Sequence, residues 1–396
     1  MRDSLAHAGP STTEHRKAGH RGGVLGINIL HTEWSKGWGG QEIRVVAESV
    51  AFRGRGYQVT IACQPDSLIL PRAQEAGISV IPLVQKKGLR PAGVLKAMRI
   101  IRAHRFDLVH THSSVDAWNF GLAARFLGVP VVRSRHLSTR ISRGPLSYLL
   151  YMKLADQVIT SGQAIKDVMI ERNGMRPERI VSIPAGIDES RFLPSVDASG
   201  VRTEFGLRDG DFVVGIVAVL RSWKGHQYLI EAAAQLQRQG VPVKLLIVGA
   251  GPQEGNLRRM IHDKDLDGVA IMTGYRQDVP SLMKAMQCLA LPSTDNEATS
   301  QVLPQAMAMK VPVIATDVGG LAEVVIDHDT GLLVPPRDAN ALAAAIRWIH
   351  EHPQEARQMA ERGYDHALAN FTFDRMIERT EQVYLDVLKS KQRSPR

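Results

Sequence analysis

Pro292-Ser293-Thr294-Asp295-Asn296-Glu297-Ala298-Thr299-Ser300-Gln301-Val302-Leu303-Pro304-Gln305-Ala306-Met307-Ala308-Met309, followed by an apolar run over 311–315 and by Gly319-Gly320, decides the reading of this chain. An apolar segment leads into a polar loop, a helical pattern and a second apolar segment, so the stretch reads as strand, loop, helix, strand. Glu297 stands at the exit of the loop, and Thr299 or Ser300 is placed to cap the helix. The first turn of such a helix presents unpaired backbone N–H groups and the positive end of its dipole, with a carboxylate beside them. That combination suits a diphosphate at the helix start and a hydroxyl on the acid.

The same residues resemble the acceptor-independent signature of the family 4 retaining glycosyltransferases, nucleotide-sugar enzymes of the two-domain GT-B fold. That pattern is Glu, seven residues, Glu, then Ala-Met-Ala and a short apolar strand. Here Glu297 is followed by seven residues and then by Gln305. In the family the first acid contacts the transferred sugar and the second holds the nucleotide ribose. Eight residues along a helix span about 12 Å, enough to reach both. The resemblance therefore sets Thr299, Ser300, Gln301, Val302 and Gln305 against the donor. Gln305 keeps hydrogen-bonding capacity for a ribose hydroxyl while losing the charge, a departure that bears on donor identity or affinity. The plain alternative makes Glu297 a solvated loop acid and Gln305 an ordinary helix residue.

Working outward, short apolar runs alternate with helical patterns at 24–30, 58–63, 78–83, 108–112, 130–136, 157–161 and 180–184, and again at 212–220, 243–248, 269–273, 288–291, 311–315 and 331–334. This alternation is that of an α/β protein with parallel sheets covered on both faces. With 396 residues, two doubly wound Rossmann-like domains facing across a cleft are expected: a disordered tail over 1–22, an acceptor-side domain over 23–190, a polar linker over 191–208, a nucleotide-sugar-binding domain over 209–372, and a helix over 373–396 returning to the first domain.

Ligands of parallel sheets lie beyond the carboxyl ends of the strands, which directs attention to the loops there. After the first strand, Gly39, Gly40 and Glu42 resemble the family's Gly-Gly-x-Glu loop, with Gly40 nearest the reacting diphosphate. Trp38, and with it Trp34, is a candidate for stacking on acceptor sugar, with packing on the neighbouring helix as the alternative. The fourth and fifth strands end in His112 and in Arg133, Arg135 and His136. His136 occupies the place of the family's sugar-contacting histidine, and the two arginines add positive potential suited to a phosphorylated acceptor. The paired histidines lack a carboxylate or Cys partner at metal-ligand spacing, and no metal or other cofactor is expected. In the second half Lys224 matches the Lys of the family's Arg-Leu-x-x-x-Lys-Gly pattern, but Val219 stands at the Arg position and Arg221 is the proposed substitute. Gly249 opens a Gly-x-Gly-Pro turn beside the nucleotide.

Apolar residues at 44% and charged residues at 22% describe a globular chain. No run of eighteen apolar residues and no apolar leader occurs, so the cytoplasm is the default compartment. Cys63 and Cys288 sit singly in strand-like runs and read as reduced core residues. The net charge of +9 is uneven: residues 1–195 hold 27 Lys and Arg against 15 Asp and Glu, a net of +12, and the remainder nets −3. Its densest segment, Lys86, Lys87, Arg90, Lys96, Arg99, Arg102 and Arg105, flanks Leu95, Met98 and Ile101, which fit one helical face. Nucleic acid, an anionic membrane surface or a phosphorylated acceptor would each suit it, a solvated helix being the plain alternative, and a peripheral seat at the inner face of the membrane is the functional reading to test. No nucleic-acid module appears.

The resemblance implies transfer of a sugar from a nucleotide diphosphate to a hydroxyl of a glycan or lipid-linked acceptor with retained anomeric configuration, in cell-surface polysaccharide or lipopolysaccharide assembly. His136, Glu297, Lys224 and Arg221 are the catalytic candidates. A non-catalytic donor-binding or assembly subunit, suggested by Val219 and Gln305, and a nucleotide-sugar epimerase are the alternatives.

Overall fold

The computed structural model describes residues 26–86, 88–136, 141–295 and 297–392; the tail 1–22 and Lys87 lie outside them. The strands of the first sheet are β1 (Asn28–Glu33), β2 (Gln58–Cys63), β3 (Ser79–Pro82), β4 (Leu108–Thr111), β5 (Val131–Arg135), β6 (Gln157–Thr160) and β7 (Ile180–Ser182), in the order β3-β2-β1-β4-β5-β6-β7. Those of the second are β8 (Phe212–Val217), β9 (Val243–Val248), β10 (Ala270–Gly274), β11 (Cys288–Leu291), β12 (Val313–Thr316) and β13 (Leu332–Val334), in the order β10-β9-β8-β11-β12-β13. Neighbouring strands pair in parallel, as in β1 with β4 and β8 with β11. Every residue of β4, β11 and β12 is buried, which is why β11 is apolar without alternation, while β4 and β12 end in buried polar residues. Cys63 and Cys288 are buried free thiols within β2 and β11.

Both sheets reverse direction of growth at their first strand, β1 lying between β2 and β4 and β8 between β9 and β11. The crevice beyond the carboxyl ends of such strands is where a doubly wound sheet has room for a ligand. Here the two crevices face each other. The last helix, Phe373–Gln392, crosses back onto the first domain and buries Ile377, Tyr384 and Val387 against Ile29, Phe52 and Ile183. Burial of each such apolar side chain contributes about 1.5–3 kcal/mol.

Two expectations about surface segments are corrected. Residues 191–208 are not a plain linker: they contain the helix Ser199–Glu204 and bury Phe192, Val201 and Leu207 in the second domain's core. Single apolar anchors among exposed polar positions concealed this docking. In the basic helix Pro91–His104 the buried face is Val94, Ala97 and Ile101, while Leu95 is exposed. Small Ala97 carries the packing that the sequence assigned to Leu95. No helix among the described residues is long and apolar enough to cross a membrane.

Candidate active site

On the second-domain wall, β8 leads to the turn Ser222–Lys224, and Gly225 follows with φ of +75°. A Cβ there would lie 1.8 Å from the Pro292 carbonyl oxygen, so only glycine lets this turn press against the loop after β11. The contact sets Lys224 beside Glu297. Its Nζ donates to Glu297 Oε1 at 2.6 Å, and the Ser293 hydroxyl donates to the same oxygen at 2.7 Å. Gly319, with φ of +58°, backs this loop from behind, where a Cβ would lie 2.1 Å from the Glu297 carbonyl oxygen. Glu297 is 7% exposed and the Lys224 side chain 21%, so the pair is half-withdrawn from water.

The helix after this loop is Val302–Ala308, and no side chain caps it. The expected cap at Thr299 or Ser300 is therefore corrected: the Thr299 hydroxyl donates instead to the Ser161 carbonyl of the first domain. Glu297 and Gln305 consequently do not share one helix, and the 12 Å helical span does not apply. Gln305 is half-buried within the helix, while Thr299, Ser300, Gln301 and Val302 line the cleft.

On the first-domain wall, the Glu42 carboxylate accepts the Gly39 N–H at 2.8 Å and closes the entry to the helix Gly40–Gly54. A Cβ built on Gly40 meets no atom within 4 Å. One turn on, buried Arg44 pairs with Glu48 at 2.6 Å and donates to the Ile183 carbonyl at 3.0 Å.

Two cavities open between these walls. One, of about 650 Å³, spans the domains from Gly40, Arg44 and His136 to Lys224, Gly249 and Glu297. The other, of about 680 Å³, lies within the first domain and includes Glu33, Trp34, His112, Arg133, Arg135 and Tyr151 in its lining. They meet at Gly40, Gln41 and His136, which line both.

Behind His136 runs a chain of buried imidazoles. His31 Nδ1 lies 2.9 Å from His112 Nε2, and His112 Nδ1 lies 3.0 Å from His136 Nε2. His110 stands beside them, its Nδ1 2.7 Å from the Tyr384 hydroxyl and its Nε2 2.8 Å from the Ser134 hydroxyl. Burial pushes His31 and His136 down to about 3 and holds His110 and His112 well below the usual imidazole range. All four are neutral at pH 7. Among the described residues, His31, His110 and His112 are the group whose ligand atoms gather within 4.8 Å. Five of their six ring nitrogens already have hydrogen-bond partners, so a cation there would have to break those bonds.

The domains are pinned together beside the cleft. The Glu323 carboxylate accepts the Gln163 and Ala164 N–H groups at 2.6 Å each, and Gln301 donates to the Gly186 carbonyl at 3.2 Å.

Residues 38–191 match the family model described as Glycosyltransferase Family 4, and residues 200–366 match that of Glycosyl transferases group 1. The chain belongs to the family 4 glycosyltransferases. This glycosyltransferase is 26% identical over 398 residues to the D-inositol 3-phosphate glycosyltransferase of Stackebrandtia nassauensis, covering 90% of this chain and 89% of that one. It is 27% identical over 316 residues to the alpha-D-kanosaminyltransferase of Streptomyces kanamyceticus, covering 74% and 81%. Among solved structures it resembles Anabaena HepE in complex with UDP-glucose, with 25% identity, a TM-score of 0.77 and coverage of 91% and 100%. A Rickettsia africae glycosyltransferase at 21% identity shares the fold with a TM-score of 0.84, covering 92% and 99%. The GT-B architecture of the glycosyltransferase is thus shared along nearly its whole length.

Of the residues singled out from the sequence, the fold gathers Gly40, His136, Lys224, Gly249 and Glu297 on one cavity and His112, Arg133 and Arg135 on its neighbour. It does not bring Arg221 to the cleft. That guanidinium lies over the Trp223 ring at 5.0 Å, and half-exposed Val219 lines the cavity instead. Trp38 packs in its own domain beneath Arg72, at 4.5 Å, as the packing alternative held; Trp34 is the tryptophan that reaches a cavity. Arg44, Ser161 and Glu323 escaped the sequence reading. Arg44 and Glu48 look like an ordinary exposed i,i+4 pair, and Glu323 acts only across the domain interface.

Proposed function

We propose that this glycosyltransferase moves a sugar, with retained anomeric configuration, from a nucleotide diphosphate donor in the interdomain cavity to a hydroxyl of an acceptor in the first-domain cavity. One observation carries the reading: the two cavities meet at Gly40 and His136, and the interdomain one also carries the Lys224–Glu297 pair. The UDP-glucose complex of Anabaena HepE supports a nucleotide-sugar donor here. The open space before Gly40 accommodates the diphosphate, Lys224 opposes the charge that grows on the leaving oxygen, and His136 faces the sugar. Glu297 is the one acidic residue among those lining the interdomain cavity, and it is tied to Lys224. A double displacement employs two carboxyl groups about 5–5.5 Å apart. The reading therefore assigns attack from the face the diphosphate leaves, with a donor phosphate oxygen taking the acceptor proton.

The pathway we assign is assembly of a cell-surface polysaccharide or lipopolysaccharide, with the protein seated peripherally on the membrane. Exposed Leu89, just before the basic helix Pro91–His104, and Leu95 within it support that seat. Thermal unfolding with a panel of UDP-, GDP-, ADP- and CMP-sugars tests the donor. One donor at a hundred times its Kd should stabilise the fold by about 2.7 kcal/mol, and Lys224→Met should diminish this response. No response to any donor would contradict the proposal.

A further inference from the structure

The first-domain cavity contains a buried guanidinium that forms no ion pair with the described residues, Asp116 acting on it only through its field. Arg133 is 2% exposed, and its guanidinium donates only to neutral groups: the Ser113 carbonyl at 3.1 Å, the Ser114 hydroxyl at 3.4 Å and the Tyr151 hydroxyl at 3.3 Å. It lies over the Tyr151 ring at 4.3 Å, and its buried Nε has no hydrogen-bond partner. A buried cation of this kind is unfavourable unless an anion joins it. Arg135, two residues along β5 and so on the same strand face, adds a second guanidinium to the same cavity.

The acids nearby are committed elsewhere. Glu33 accepts the Ser35 N–H at 2.8 Å and the Gln41 amide, and burial, followed by the charge of Asp116, pushes its carboxyl upward toward the neutral form. Glu42 accepts the Gly39 N–H. Asp116 feels the Arg133 charge but accepts its hydrogen bonds from Thr32, His112 and Ser113. Lys36 at the mouth pairs with exposed Asp66 at 2.6 Å.

We infer that the acceptor carries a compact anionic group, a phosphate monoester or a carboxylate, held by Arg133 and Arg135 while its hydroxyl faces Gly40 and His136. This rests on the donor–acceptor reading of the two cavities and names the acceptor class within it. A planar guanidinium fork pairs with either anion through two parallel N–H bonds.

Thermal unfolding of the full chain tests the inference. The nucleotide that stabilises it most among UDP, GDP, ADP and CMP is added to saturation, and inorganic phosphate or L-malate is then titrated. A further shift with either probe is expected, and Arg133→Gln and Arg135→Gln should each weaken that probe at least tenfold while preserving the nucleotide shift. A response to phosphate alone assigns a phosphate monoester, and one to L-malate alone assigns a carboxylate. No added shift with either probe, or a shift retained in full by both variants, would overturn the inference. Should Arg133→Gln fail to fold, Arg135→Gln decides. A nucleotide shift without an anion shift refutes this inference alone, whereas absence of any nucleotide shift contradicts the donor reading.

Discussion

Replacement of Glu297 by Gln separates donor binding from turnover. The carboxylate lies 2.6 Å from the Lys224 ammonium and offsets much of the positive field facing the donor cavity. A negative charge roughly 6 Å from a bound diphosphate repels it by about 1.4–2.8 kcal/mol at an effective dielectric of 20–40. Glu297→Gln should therefore tighten UDP binding by about tenfold or more while turnover falls about 10²–10³-fold, the loss typical of one transition-state contact. Lys224→Met should do the reverse to binding, weakening UDP. It should also destabilise the fold by about 3–5 kcal/mol by leaving Glu297 buried beside Ser293 alone, and the double variant should regain part of that stability. Calorimetric titration with UDP, initial rates of donor consumption and urea unfolding supply the measurements. The reasoning is refuted if Glu297→Gln weakens UDP in step with its loss of turnover, or if the double variant is no more stable than Lys224→Met.

Gly225→Ala should lower stability by about 2–4 kcal/mol in thermal unfolding, because its Cβ would strike the Pro292 carbonyl and φ is positive there. Gly40→Val should change Tm little yet reduce turnover strongly, since its side chain enters cavity space and meets no protein atom. Tyr384→Phe removes the partner of His110 Nδ1 and should cost about 1–3 kcal/mol, read by urea unfolding. Acid should destabilise the fold through the histidine chain. The unfolded chain takes up protons below about pH 6.5 that His31 and His136 refuse until about 3; stability is thus complete above 6.5 and falls with pH by about 1.4 kcal/mol per unit for each imidazole. Urea unfolding at pH 7 and 5.5 measures the slope, and a flat profile would show that these rings are not buried neutral.

The strands were legible because parallel strands buried on both faces must be short apolar runs, and β2, β9 and β11 fall at the expected bounds. That Lys224, Glu297 and His136 share one cavity was legible from motif spacing, since each follows a strand end. What the sequence concealed depends on contacts between distant segments. Thr299 reads as a helix cap until Ser161 of the other domain takes its hydroxyl. Trp38 reads as a ligand platform until Arg72 covers it. The imidazole chain assembles from three strands and their loops, so no local pattern announces it. Arg221, read as a substitute for an Arg at Val219, lies over the adjacent Trp223 ring, a contact that motif spacing does not announce.

The stereochemistry of transfer most directly separates retention from inversion at the transferred sugar. NMR of the purified product made from an α-linked sugar nucleotide reports the configuration of the new glycosidic bond. An α-linked product is predicted, because in the proposed reaction the acceptor attacks from the face that the diphosphate leaves. A β-linked product would contradict it.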